Sequence, residues 1–414
     1  MTATETALVW TIAVGTIAGL IIRPKEWPEA VWACLGALLL VLFGLLSPGS
    51  ALSAIAKGTD VYLFLTGMML LAELARRKGV FDWLAGLAVR ASKRSAARLF
   101  ALVYAVGILV TVFLSNDATA VVLTPAVYAA VKRARVHAVT YLFICAFIAN
   151  AASFVLPISN PANLVVYGRN IPPLASWLRT FLLPSICSIA VTYLALRWTL
   201  RHEIRGEIAH VADEPELSLE GRRAGIVACG AVLIAASALG LDLGLPTCIA
   251  ALVAVLITTR FSGQEIREVA SDVAWSVLPL VAGLFILVEA LNRAGSLTET
   301  LRLFHTFAAM PRIAGNLAAS FGIAALSNIM NNLPSGLLAG SALQTGHLVP
   351  QIRDSVLIGV DLGPNLSVTG SLATVLWLIA LRREGIQISG WRFLRLGVIV
   401  MPPALLLATL AIWR

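Results

Sequence analysis

Charge is what this sequence has least of. Only 13% of its 414 residues are Asp, Glu, Lys or Arg, while hydrophobic types reach 59%. Soluble proteins carry about 25% charged residues, so a water-soluble enzyme is excluded. Cysteine is scarce too. Cys34, Cys145, Cys187, Cys229 and Cys248 stand singly in apolar stretches, without disulfide or metal-site spacing, and read as small core hydrophobes. The sequence contains no glycine-rich phosphate loop, no metal-ligand cluster and no nucleophile motif. It therefore offers no nucleotide site of its own, and no cofactor is expected. Before the first apolar run stands Glu5 and no Lys or Arg. The basic region of a cleavable signal is missing, so a retained first helix is expected.

What the chain does have is long apolar runs. At about 20 residues per crossing, ten candidate spans fit: 7–22, 30–46, 61–76, 139–168, 176–197, 223–240, 245–260, 273–291, 353–381 and 395–413. The expected fold is an all-α polytopic membrane protein. Two further apolar segments, 98–131 and 312–340, are too long for one span, and each is interrupted near its middle. The first interruption is Ser115-Asn116-Asp117. The second is Ser327-Asn328 followed by Asn331-Asn332-Leu333-Pro334. Arg90, Lys93, Arg94 and Arg98 precede the first segment, and Lys132, Arg133 and Arg135 follow it. Basic flanks mark the cytoplasmic side, so this segment leaves on the side where it began. A re-entrant helical hairpin does that, with its tip buried in protein or facing a water-filled cavity.

With ten spans, two hairpins and both termini outside, 23 of the 31 Lys and Arg fall in cytoplasmic loops and 8 on the outer side. The net charge of +9 then encodes orientation in an inner membrane, and nucleic acid is not an expected partner.

The chain repeats itself. Gly67, Leu71, Glu73, Arg77 and Gly79 match Gly283, Leu287, Glu289, Arg293 and Gly295 at an offset of 216. Leu114-Ser115-Asn116 matches Leu326-Ser327-Asn328 at 212, and polar breaks at 157–163 and 363–370 follow at about 209. Residues 1–199 are read as one repeat, 200–222 as a cytoplasmic linker and 223–414 as the second repeat. Each repeat has five spans and one hairpin. The odd number inverts the second repeat relative to the first, which is the architecture of secondary transporters with midplane sites at interrupted helices.

Four polar clusters carry the expected site. They are Ser115, Asn116 and Asp117; Asn150 with Ser159, Asn160 and Asn163; Ser327, Asn328, Asn331 and Asn332; and Asp361 with Asn365 and Thr369. Breaks at Pro and Gly free backbone groups for ligation, and Asn and Ser add neutral donors and acceptors. Asp117 and Asp361 stand out, because a carboxylate at membrane depth is costly and functional. Both are expected to couple transport to protons at a shared centre. At this offset Ile329 stands opposite Asp117, and Asn150 or Ala151 opposite Asp361. Glu73 and Glu289 each precede an Arg by four residues, a helix ion pair. The five histidines receive no role. Trp10, Trp27, Trp32, Trp177, Trp275 and Trp391 fit interfacial aromatic belts.

On these residues the chain resembles the ion transporter superfamily and, within it, the arsenite efflux permeases (ArsB type). The resemblance covers essentially the whole chain. It is strongest in FLSNDATAVVLTPAV (113–127), ANAASFVLPISNPANLVVYG (149–168), LSNIMNNLPSGLL (326–338) and GVDLGPNLSVTGSLATVLWL (359–378). The dicarboxylate branch would carry Ser-Asn-Thr at both symmetric tips. Here Ser-Asn-Asp (115–117) and Ser-Asn-Pro (159–161) stand instead, which argues against a carboxylate substrate. The resemblance implies a scaffold half and a mobile transport half, elevator-like movement, and export of arsenite or antimonite against inward protons. A soluble ATPase subunit and a homodimer stay open. The alternative is a Na⁺/H⁺ antiporter of the same superfamily; an ion channel fits the inverted repeat less well.

Overall fold

The computed structural model describes residues 1–168, 171–209, 243–346 and 348–412, and their regular structure is helical. The expected span at 223–240, most of the linker 200–222, and Arg169, His210, Cys229, His347 and Arg414 lie outside the described residues. The first half runs through α1 (Ala3–Ile22), α2 (Glu29–Leu42), α3 (Pro48–Lys57), α4 (Thr59–Arg77) and α5 (Val80–Ala91). Helix α6 (Ala96–Leu114) and α7 (Thr124–Arg133) belong to the first hairpin. Helices α8 (Ala138–Ala151) and α9 (Pro161–Tyr167) are two parts of a broken helix, and α10 (Leu174–Thr199) follows. The second half repeats this order with α11 (Gly244–Thr258), α12 (Gly263–Asp272), α13 (Val277–Arg293) and α14 (Ser296–Ala309). It continues with α15 (Arg312–Met330), α16 (Asn332–Thr345), α17 (Pro350–Leu362), α18 (Leu372–Arg383) and α19 (Gly390–Leu410).

Five helices, α1, α6, α10, α15 and α19, are long and apolar enough to cross a membrane. The bent pairs α3/α4 (50°) and α12/α13 (45°) raise this to seven among the described residues. Two expected spans, 139–168 and 353–381, are each two α-helices separated by a stretch of turns and short 3₁₀ segments. The sequence reading left 48–57, 80–91, 263–272 and 296–309 outside its spans; all four are helices. They are amphipathic, so a search for unbroken apolar runs passes over them.

The structure corrects the register of the repeat. The second hairpin does not break at Ser327-Asn328, which lie inside α15. It breaks at Asn331 (φ 78°), as the first breaks at Ser115 (φ 91°). The offset therefore stays at 216 through the tips, and the mate of Asp117 is Leu333, not Ile329, which is 67% exposed. The hydrogen bonds agree. The Thr111 and Thr119 hydroxyls pair across the first break at 2.8 Å, and Ser327 and Ser335 pair across the second at 2.7 Å, both 216 apart. Each tip residue holds a left-handed backbone that a side chain ordinarily avoids. Its side chain compensates by capping the next helix: Ala118 N–H donates to Ser115 Oγ, and Leu333 N–H to Asn331 Oδ1. The broken helices match at 211, where Asn160 and Ser371 both accept from the N–H two residues on.

Packing obeys the same symmetry. Helix α4 lies along α11, as α13 lies along α2, and α10 pairs with its mate α19. Each broken helix sends its second part against the opposite hairpin: α9 onto α16, and α18 onto the arm after Thr119. Two glycines allow the α4/α11 and α2/α13 crossings. A Cβ on Gly67 would sit 2.7 Å from Thr247 O, and one on its mate Gly283 would sit 2.7 Å from the Ala33 carbonyl carbon. Close approach at small residues is how helices gain contact in lipid. Gly67→Val or Gly283→Val is expected to destabilise the detergent-solubilised protein by about 1–3 kcal/mol. Thermal-shift midpoints equal to the native value in both variants would refute this packing argument.

Glu73 is buried and accepts from Arg76 Nη2 at 2.6 Å and Arg77 Nε at 3.2 Å. Arg76 and Arg77 both reach Asp272, and Arg77 also reaches Glu268, so the end of α4 is tied to α12. Glu289 binds Arg293 and Lys57, tying α13 to α3. The expected i,i+4 pairs are present and extended into clamps between elements. Trp177 departs from the expected belt. It is fully buried, and its indole N–H donates to Phe154 O between α8 and α9 at 3.1 Å.

Candidate functional site

Both tips and both helix breaks converge on one cavity of about 340 Å³. Its lining obeys the internal twofold. Leu65 of α4 faces it with its mate Val281 of α13, and Asn116 with Asn332. Asn160 faces it with Ser371, and Pro161 with Leu372. Asp117 lines it opposite Leu333, so one carboxylate stands where the second half has an isobutyl group. The lining includes no Lys, Arg or His.

Of the fourteen residues expected at the site, four reach this cavity: Asn116, Asp117, Asn160 and Asn332. Asn116 is 2% exposed, and its Oδ1 accepts no hydrogen bond from the described residues. No hydrogen bond or ion pair joins the Asp117 carboxylate to any described residue. It sits in the first turn after the Ser115 cap, where peptide N–H groups favour a negative charge, next to the π-helical turn Thr119–Leu123. Such widened turns recur at functional sites.

The second acid does not share that cavity. Asp361 is fully buried at the end of α17. It accepts from Ser153 Oγ and from Asn160 Nδ2, both at 2.8 Å. Because Asn160 Oδ1 already accepts from Ala162 N–H, its amide is fixed at both ends. Asp361 therefore stands behind Asn160.

The other expected residues brace the breaks. Asn150 Nδ2 donates to Asn365 Oδ1, and Asn365 Nδ2 donates to Phe147 O, both at 3.0 Å. Asn163 Nδ2 gathers Ser153 O, Leu156 O and Pro157 O, and Ser159 Oγ donates to Val112 O. In the second half, Asn328 Nδ2 donates to Ala324 O and Gly363 O while its Oδ1 accepts from Ser367. Thr369 Oγ1 donates to Asn328 O at 2.9 Å, and Asn331 Nδ2 donates to Thr369 O at 3.4 Å. Ser115 caps the first tip and Ser327 bridges the second hairpin, as above. These groups satisfy backbone freed where helices stop, which apolar surroundings cannot do. Sequence reasoning missed Ser371 in the lining and Ser153 on Asp361. The first was within reach: an offset of 211 from Asn160 points to Ser371. Cys145 is fully buried and does not line the cavity.

The citrate transporter family (CitMHS) matches residues 17–355, and the chain belongs to it. A Mycobacterium tuberculosis (strain CDC 1551 / Oshkosh) protein described as an uncharacterized transporter is 27% identical over 374 residues, covering 86% of each chain. The arsenical pump membrane protein of Escherichia coli (strain K12) is 27% identical over 427 aligned positions, covering 98% of each. Among solved structures, the Alcanivorax borkumensis YdaH transporter superposes with a TM-score of 0.57 at 16% identity, over 92% of this chain and 96% of that one. The fold is that of a transporter of the ion transporter superfamily. The chain is a multi-pass membrane transporter and not an enzyme.

Proposed function

We propose that this transporter exports arsenite or antimonite from the cytoplasm across the inner membrane in exchange for protons. The observation that carries this reading is the cavity lining: neutral Asn and Ser groups, one unpaired carboxylate and no basic side chain. Citrate at neutral pH is a multiply charged anion. Asp117 in the lining would repel it. Arsenous acid near neutral pH is a small neutral trihydroxide, which needs donors and acceptors. Asn116, Asn332, Asn160 and Ser371 supply both. Among the described residues no thiol faces the cavity, in keeping with a site that must release a thiophilic substrate.

Asp117 is the proton carrier in this reading. Among the described residues it has no partner to lose on protonation, whereas Asp361 holds two hydrogen bonds and acts as the positioning residue for Asn160. Leu65 on α4 and Val277 and Val281 on α13 line the cavity together with the residues of the tips and breaks. This two-part lining supports a mobile unit of hairpins and broken helices sliding along a scaffold built on the α4/α11 and α2/α13 crossings. One observation favours a second reading, Na⁺/H⁺ exchange: Asn116 Oδ1, without a donor, lies on the residue next to Asp117.

Proteoliposomes carrying a pH dye separate these readings. Arsenite or antimonite is expected to drive proton movement, with sodium and succinate at background. Proton movement driven by sodium, or by succinate, and not by arsenite would overturn the assignment.

A further inference from the structure

A second space lies beside the central cavity. It is a crevice of about 430 Å³, and it shares two lining residues with the cavity, Leu333 and Leu372. Its other walls include Leu20 and Ile21 in the last turn of α1, Leu280 and Leu284 of α13, the polar residues Asn331 and Thr369, and Glu29 of α2, which pairs with Arg23 at 3.2 Å. Arg23 and Lys25 follow α1 directly. Basic residues at the end of a span mark the cytoplasmic side, so the crevice opens where the substrate of an exporter is loaded.

We propose that Leu333 and Leu372 form a two-leucine gate between this crevice and the central cavity, and that the crevice is the path by which substrate reaches Asp117. The gate rests on the transporter reading and not on the identity of the substrate. Each leucine lines both spaces. Leu333 follows Asn331, which lines the crevice, and Asn332, which lines the cavity. Leu372 follows Thr369 on the crevice side and Ser371 on the cavity side. A polar solute moving from the first pair of groups to the second has to pass two isobutyl side chains that offer it no hydrogen bond, and must shed water to do so. Both leucines lie in the first turn of a helix held by a side-chain cap, Asn331 for α16 and Ser371 for α18. A shift of either cap therefore moves its leucine. The internal twofold adds a reason for one-sidedness. The mates of Leu333 and Leu372 are Asp117 and Pro161, so the first half places its carboxylate where the second half places the barrier.

Site-directed labelling tests this in full-length protein whose five native cysteines are replaced. Single reporters are Thr369→Cys in the crevice and Ala373→Cys in the cavity, which leaves the Ser371 cap in place. A membrane-impermeant cationic methanethiosulfonate is added to the cytoplasmic face of inverted vesicles. The Ala373 reporter is expected to react about tenfold more slowly than the Thr369 reporter, and Leu333→Ala or Leu372→Ala should raise its rate about tenfold, the scale set by removing a buried leucine side chain. An unchanged Thr369 rate in the same variants shows that they are folded, and Leu333→Met should keep the barrier. An Ala373 rate unmoved by both alanine variants, or already equal to the Thr369 rate in the parent, overturns the gate. Because the labelling needs no substrate, failure of the arsenite assignment and failure of the gate are separate results.

Discussion

Asp117→Asn is expected to abolish substrate-driven proton movement while leaving the protein folded. The carboxylate holds no hydrogen bond or ion pair with any described residue, so its amide isostere breaks no internal contact. It removes the one charge in a lining that is otherwise neutral. An amide cannot bind and release a proton in this range, so exchange stops at that step. Substrate-driven proton movement should fall to the level of protein-free liposomes, because no other titratable side chain among the described residues lines the cavity. The measurement is arsenite-driven quenching of a pH dye in proteoliposomes, with thermal-shift midpoints as the control for folding. Native coupling in this variant would remove Asp117 from the mechanism.

At Asp361 the contrast between two substitutions is the informative result. Asp361→Ala leaves Asn160 Nδ2 without its acceptor and opens a void beside Ser153. A buried donor left unpaired costs about 1–3 kcal/mol, and Asn160 loses the bond that aims it at the cavity. Thermal stability should fall and the apparent KM should rise about tenfold or more. Asp361→Asn should restore most of both. An asparagine carbonyl can accept from Asn160, and the Ser153 hydroxyl can turn from donor to acceptor and take the amide N–H. Proton coupling should therefore survive Asp361→Asn. Its loss there, with coupling retained in Asp117→Asn, would exchange the roles of the two acids.

The membrane class, the repeat and the neighbourhood of the site were legible from residue types alone. A scarcity of charge and long apolar runs dictate burial in lipid, because water cannot solvate such surface favourably. Polar residues inside those runs mark places where the backbone leaves the helix. That is why every expected site residue falls at a break or braces one. The register was not legible. Ser-Asn recurs at 115–116 and 327–328, and the identity of letters drew the alignment to an offset of 212. The physical match is the left-handed tip residue, Ser in one half and Asn in the other, which shares function without sharing identity. The amphipathic helices α3, α5, α12 and α14 were hidden for a similar reason. Their polar faces find partners such as the Glu73–Arg77–Asp272 clamp, which only tertiary packing supplies.

The sequence by itself thus determined that this chain is a helical membrane protein whose halves share one order of elements, and it singled out Asp117 and Asp361 as the exceptional acids. The tertiary structure decided which acid faces open space and which is enclosed. It also decided that only four of fourteen polar candidates line the cavity, and that Leu333 and Leu372 line both that cavity and the crevice. Composition fixes which groups must be satisfied, since any polar atom in lipid needs a partner. Only the three-dimensional pairing shows which partners are internal, and so which groups are left for a substrate.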